Sequence, residues 1–309
     1  MRTMLTITLP FFALILLGFI AARRRLVPVE AVPAFNGFLL YFAVPAMLFR
    51  FASSTPFHDI ANGPYFIAYT VAGLSTLAFV VLIAWRTLRS SLRDAAFYGL
   101  AASVTNIGYL GIPMIVALMG ERAAAPTILA AIVDQTIVVS AALAVAQMDV
   151  NGNRGWIGGV RDALARAALN PFLLSIFAGA LFSAFNWTLP TPADEIVRLL
   201  ANAAGPCALF AIGVSLAQPD GRPKSRIVAL PVTAKLFVHP LLVWLLMRPF
   251  VDGFSTTAAV LAAALPTAGW VFIFAQRYDA DSGRISATIL VTTALAFVTF
   301  SAWVWVLGV

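Results

Sequence analysis

The sequence predicts an all-α membrane protein of ten transmembrane helices. They form two inverted five-helix repeats, with the fourth and ninth helices broken near their centres. Three observations predict it. The first is composition: 61% of the 309 residues are hydrophobic and 11% are charged, against about 45–50% and about 25% in soluble domains. Mean hydropathy is +0.93, and a soluble chain of this size lacks the polar groups to cover its surface. The second is a series of ten apolar runs. The third is a pattern that recurs between the two halves.

A hydrocarbon core of about 30 Å needs about 20 apolar helical residues. Runs of that kind occupy 4–22, 32–52, 64–85, 95–119, 126–147, 168–187, 195–217, 228–249, 254–276 and 285–308. The first closes on Arg23, Arg24 and Arg25, as a retained span does; no small-residue cleavage site precedes a polar start. The second carries Pro45 and the third closes on Arg86. The fourth is interrupted by Gly108, Gly111 and Pro113, and the fifth contains Asp134 beside Gln135. The sixth opens near Pro171 and the seventh carries Pro206. The eighth holds Lys235 and His239, the ninth is interrupted at Pro266, and the tenth is unbroken. No segment alternates as a barrel strand would.

The net charge of +7 reads as arginine at cytoplasmic helix ends rather than as a nucleic-acid surface. Loops after the odd-numbered spans carry fourteen Lys and Arg, and the opposite side carries five. The first side is therefore cytoplasmic and both termini face outward. Cys207 is the single cysteine, so no intrachain disulfide exists. The division is a repeat over 1–147, a connecting loop over 148–167 and a second repeat over 168–309.

Pro10-Phe11-x-x-x-Ile15-x-x-Gly18 recurs as Pro171-Phe172-x-x-x-Ile176-x-x-Gly179, and Pro45-x-x-Leu48-Phe49 as Pro206-x-x-Leu209-Phe210. Both offsets are 161. Ile112-Pro113 and Leu265-Pro266 give a third match at 153. Five spans per half force opposite membrane orientations, the inverted repeat of secondary transporters.

Breaks at Ser103–Pro113 and Leu265–Trp270 fall at corresponding places in the two halves. Unpaired backbone at that depth is tolerated where it lines a cavity or is buried in protein. The two half-helix N-termini then face one another with their positive dipole ends inward. That favours an anion such as a carboxylate, with Asn106 and Thr267 adding hydrogen bonds.

Asn36-x-Phe38-x-x-Tyr41-Phe42-Ala43-x-Pro45-Ala46-x-Leu48-Phe49, Asn106-x-Gly108-x-x-Gly111-x-Pro113, and Pro266-Thr267-Ala268 with Ala275-Gln276-Arg277-Tyr278 resemble the auxin efflux carrier family. The resemblance covers nearly the whole chain. It implies that helices 4 and 9 cross at prolines matching Pro113 and Pro266, with Asn106 as a crossover asparagine. It also implies a bacterial organic-acid permease, malonate- or auxin-like, of the cytoplasmic membrane. Trp270 stands where many members carry Asn.

The candidate substrate-binding residues are Asn106, Gly108, Tyr109, Gly111, Pro113, Pro266, Thr267, Ala268 and Lys235. Asp134, Gln135 and His239 are the candidates for coupling to a proton or sodium. A charge at the bilayer centre costs at least about 2.5–3.5 kcal/mol, so Asp134 and Lys235 read as functional. They are within reach of a direct pair; alternatively Asp134 takes a proton or cation while Lys235 attracts the anion. The sequence shows no clustered metal ligands and no Gly-x-Ser-x-Gly elbow, so no enzyme, metal or cofactor is expected. The expected partners are a small organic anion and the lipid bilayer, with no nucleic acid; a homodimer is compatible with this reading. The alternatives are a sodium-coupled bile-acid-like symporter and a non-transporting sensor or channel.

Overall fold

The computed structural model describes residues 2–54, 62–148, 171–217 and 226–309. Most of the expected 148–167 connection, with Arg154, Arg161 and Arg166, lies outside the described residues, as do Arg222 and Lys224. Among the described residues every named element is helical.

Helix α1 is Arg2–Arg23. Helix α2 is Val32–Ser54 and passes through a π turn at Leu39–Ala43. Helix α3, Gly63–Arg86, starts where the Asn62 side chain accepts the Tyr65 N–H at 3.0 Å, with Pro64 in the first turn. Its missing N–H costs nothing at a position where helical N–H groups have no partner. Helix α4 is Leu92–Ser103 and α5 is Ile112–Met119, with a π turn at Ile107–Gly111 just before α5. Helix α6 covers Glu121–Ala146 and α7 is Pro171–Ala184. Helix α8 is Thr191–Leu216 and α9 covers Ile227–Met247. Helix α10 is Gly253–Ala263, α11 is Trp270–Arg277 and α12 is Ser282–Leu307.

By length and apolar character α2, α3, α6, α8, α9 and α12 can each cross a membrane. Shorter apolar stretches occur at Ala13–Arg23, Leu174–Ala184 and Gly253–Ala263. The expected fourth run is the pair α4 and α5, and the ninth is α10 and α11. Leu16, Leu17, Phe42, Phe177 and Leu199 are exposed, an apolar surface that suits lipid rather than water.

Two groups of helices pack together. Helices α1, α2, α7 and α8 form one, with α1 against α8 and α7 against α2. Helices α3, α4, α6, α9, α10 and α12 form the other and surround the two breaks. The first group is drawn tight by glycine. A methyl group at Gly18 would overlap the Phe210 carbonyl oxygen, and one at Gly179 would overlap the Phe49 carbonyl oxygen. Gly18 and Gly179 are 161 residues apart, as are Phe49 and Phe210. Each half thus offers the same glycine to the same carbonyl of the other half.

In the second group, a polar tie joins the start of α4 to the start of α12. The Tyr98 hydroxyl donates to Asp281 Oδ2 at 3.1 Å, and the Asp281 N–H donates to Asp94 Oδ1 at 2.8 Å.

Candidate functional site at the paired helix breaks

Helix α4 ends at Ser103, and Val104 turns to an extended conformation with ψ of 138°. Thr105 then pairs with Thr267 in an antiparallel β-bridge. The Asn106 N–H donates to the Pro266 carbonyl at 3.0 Å, and the Thr267 hydroxyl donates to the Ala101 carbonyl at 2.7 Å. Each break therefore supplies partners for the other. Buried backbone N–H and C=O groups need such partners, and none is available within a helix at the point where it stops.

This geometry narrows the expected first break, Ser103–Pro113, to Val104–Asn106. Gly108, Tyr109 and Gly111 belong to the π turn, and Pro113 lies in the first turn of α5. Pro113 opens the second half-helix and does not interrupt the run, because proline is tolerated where a helix begins. Pro266 does lie within its break. The two prolines are not counterparts: the offset of 161 found elsewhere matches Pro266 to Thr105 and Thr267 to Asn106, and the bridge joins these same four residues, Thr105 with Thr267 and the Asn106 N–H with the Pro266 carbonyl. Gly111 allows close approach of the second break, since a methyl there would lie 2.7 Å from Leu265 Cδ1.

Asp134 and Lys235 do not pair with each other; each holds one end of a break. Asp134 opens a π turn, Asp134–Val138, in α6. Its Oδ2 accepts the Thr105 N–H at 3.0 Å and the Thr105 hydroxyl at 2.6 Å. Its Oδ1 is buried with no hydrogen-bond partner. Lys235 lies in the π turn Ala234–Val238 of α9 and is 0% exposed. Its Nζ donates to the Ala263 carbonyl at 3.1 Å, at the C-terminal end of α10. A carboxylate at an unpaired N–H and an ammonium at a helix C-terminus are both the favourable choice for the local backbone dipoles.

The second break has its own side-chain acceptor. The Thr267 N–H donates to Thr292 Oγ1 at 3.3 Å, as the Thr105 N–H donates to Asp134. The sequence reading passed over Thr105 and Thr292 as candidate residues. A threonine inside an apolar run carries no signal of its own; the repeat offset of 161 brings Thr105 to Pro266, the residue beside its bridge partner.

Beside Asp134 lies a small, partly open recess with room for about one water-sized group, lined by Leu48, Thr105, Ile107, Gly108, Asp134 and Gln135 together with Ala131 and Ile176. Ala268 and Thr267 are fully buried. His239 lies apart from this recess, between α3 and α9. The Thr76 hydroxyl donates to the Ala72 carbonyl at 2.9 Å, so it accepts from His239 Nδ1 at 3.1 Å. That places the proton of a neutral ring on Nδ1 and leaves Nε2 buried without a partner.

Broken helices that exchange backbone partners, with buried charges beside them, define a membrane transporter of the kind built from discontinuous helices. The chain belongs to the membrane transport protein family, which includes the auxin efflux carriers; the family match covers residues 3–152 and 160–304. It is 34% identical over 307 residues to a "Putative malonate transporter" of Rhizobium meliloti (strain 1021), covering 97% of this chain and 95% of that protein. It is 27% identical to the transporter YfdV of Escherichia coli (strain K12), with 96% of each chain covered. It is 23% identical to auxin efflux carrier component 8 of Arabidopsis thaliana, over 97% and 96% of the two chains. The protein is an integral membrane transporter.

Proposed function

We propose that the chain carries a small organic anion, a carboxylate of the malonate type, across the bacterial cytoplasmic membrane by alternating access. The carrying observation is the pairing of Thr105 with Thr267, which joins two helix breaks beside a buried carboxylate and a buried ammonium. In this reading the ten runs cross the membrane as two inverted five-helix repeats, 1–147 and 168–309, with both termini outside. The reciprocal contacts of Gly18 with Phe210 and Gly179 with Phe49 support that symmetry.

The anion binds at the paired breaks. Asn106, Gly108, Tyr109, Gly111 and Pro113 form one wall, and Pro266, Thr267 and Ala268 the other. Lys235 supplies positive charge. Asp134, with Gln135 beside it, takes a proton or sodium, and its unpartnered Oδ1 suits that role. His239 is a second titratable group on the α3–α9 side. The group formed by α3, α4, α6, α9, α10 and α12 moves against α1, α2, α7 and α8, exposing the site to either side in turn.

Proteoliposomes holding the purified protein test this. Labelled malonate should enter faster when unlabelled malonate is inside, because a carrier returns loaded more readily than empty. A pore gives no such counterflow. Absence of any saturable uptake of carboxylates, with or without sodium or a pH gradient, overturns the reading.

A further inference from the structure

A polar atom taken out of water is costly unless it finds a hydrogen-bond partner. Among the described residues, three atoms without one surround a single stretch of α3: Asp134 Oδ1, the Tyr69 hydroxyl and His239 Nε2. All three residues are buried.

The packing brings them together. The Tyr65 hydroxyl donates to the Pro126 carbonyl at 2.6 Å. Two turns further along α3, a methyl on Gly73 would lie 2.9 Å from Val138 Cγ2. Both contacts advance along α3 and α6 together, so the two helices run in the same direction. Tyr69 is one turn before Gly73, and Asp134 is one turn before Val138. They come level between those contacts, and Asp134 and Thr105 are both polar neighbours of Tyr69. The Tyr69 ring stacks on Tyr65 with centroids 5.9 Å apart and meets His239 edge-on at 6.1 Å. Thr76 takes the Nδ1 proton of His239, so Nε2 of the neutral ring carries a lone pair. A phenol both donates and accepts, and Tyr69 stands between a carboxyl group and that lone pair.

We propose that Tyr69 relays a proton between Asp134 and His239, and that the coupling ion is a proton. This rests on the transport reading and names its ion. In the step, the Asp134 O–H bond breaks and its proton bonds to the Tyr69 oxygen. The phenol's own proton leaves for His239 Nε2. Asp134 becomes a carboxylate, Tyr69 ends as it began and His239 becomes an imidazolium; each hop is direct or through one water. An imidazole lone pair at the end of such a chain suits a proton, whereas hard cations are held by oxygen. Lys235 on α9 and Tyr65 on α3 face the path. The Lys235 ammonium disfavours a proton on either Asp134 or His239. An anion bound beside Lys235 cancels that effect, which ties proton uptake to anion binding.

The test uses sodium-free proteoliposomes with a pH-sensitive dye inside. Malonate added outside should carry protons inward through the wild-type protein. Tyr69→Phe keeps the ring contacts and removes the hydroxyl. His239→Asn keeps an N–H donor for Thr76 and removes Nε2. Each change should slow malonate-driven proton entry at least tenfold. Exchange of labelled for unlabelled malonate should persist, because the carrier then returns loaded and needs no net proton transfer. Proton entry at the wild-type rate in either variant overturns the inference. Loss of exchange together with proton entry in both variants overturns it in favour of a structural role. Wild-type uptake that requires sodium and moves no proton also overturns it, and leaves the transport reading standing. A wild-type protein that shows no malonate exchange overturns both.

Discussion

Thr105 and Thr267, 162 residues apart in the chain, face one another as the two members of a single antiparallel β-bridge. Their hydroxyls are used differently. Thr105 donates to a carboxylate and Thr267 to a backbone carbonyl. A hydrogen bond to a charged group contributes about 1.5–3 kcal/mol, and a neutral one about 0.5–1.5 kcal/mol. Thr105→Val should therefore lower the melting temperature more than Thr267→Val. Equal losses would mean that Asp134 is not charged toward Thr105.

Lys235 separates charge from hydrogen bonding. Lys235→Gln keeps a donor near the Ala263 carbonyl and removes the positive charge. It should weaken anion binding several-fold while leaving the protein folded. Lys235→Met leaves that buried carbonyl unpaired, at a cost of about 1–3 kcal/mol. If Lys235→Gln binds malonate as tightly as wild type, the ammonium has no part in attracting the anion.

Asp134→Asn keeps an acceptor oxygen for Thr105 and fixes the side chain in a neutral state. Uptake should persist and lose its dependence on pH or on sodium. Retention of the full wild-type dependence would remove Asp134 from the coupling role.

The reciprocal glycines predict matched penalties. Gly18→Val and Gly179→Val each push a side chain against a carbonyl of the facing helix. Overpacking of this kind costs about 1–3 kcal/mol. Gly37, which has open space around it, provides the control: Gly37→Ala should melt no lower than wild type. Melting curves of the three variants decide whether the two contacts are equivalent.

Asp252 caps α10, its Oδ1 accepting the Ser255 N–H at 2.9 Å. Partial burial acts to raise its pKa, but hydrogen bonds from Ser255 and Phe254 outweigh this and hold the carboxyl below the usual range. A lowered folded-state pKa means the cap stabilises fully above the unfolded value, near 4. That contribution disappears as pH falls through the lower folded value. Asp252→Ala should cost about 1 kcal/mol at pH 7 and progressively less under acid, as read from paired pH melting series.

The ends of the first and third runs were legible, because an apolar run that meets arginine leaves little choice of boundary. Arg23 and Arg86 each close a helix, within a residue of the expected end. The ninth break was legible from Pro266. Within the fourth break, Ser103–Pro113, the point where the helix stops was hidden, because Gly108, Gly111 and Pro113 are conspicuous and Val104-Thr105-Asn106 is not. The helix stops there because Pro266 and Thr267 offer better partners across the molecule, a reason that exists in three dimensions alone. For the same cause Lys235 gave no hint of Ala263, whose carbonyl is anonymous in sequence.

The Thr105–Thr267 bridge also sets a waiting time during synthesis. At about 5–20 residues per second, the ribosome needs roughly 10–30 s to make the 162 residues between the two threonines. Throughout that interval the Asn106 N–H has no Pro266 carbonyl to meet. The newborn first half must shelter its open backbone with water, with the insertion machinery or in a temporary continuous helix, and give up that shelter when the second half arrives.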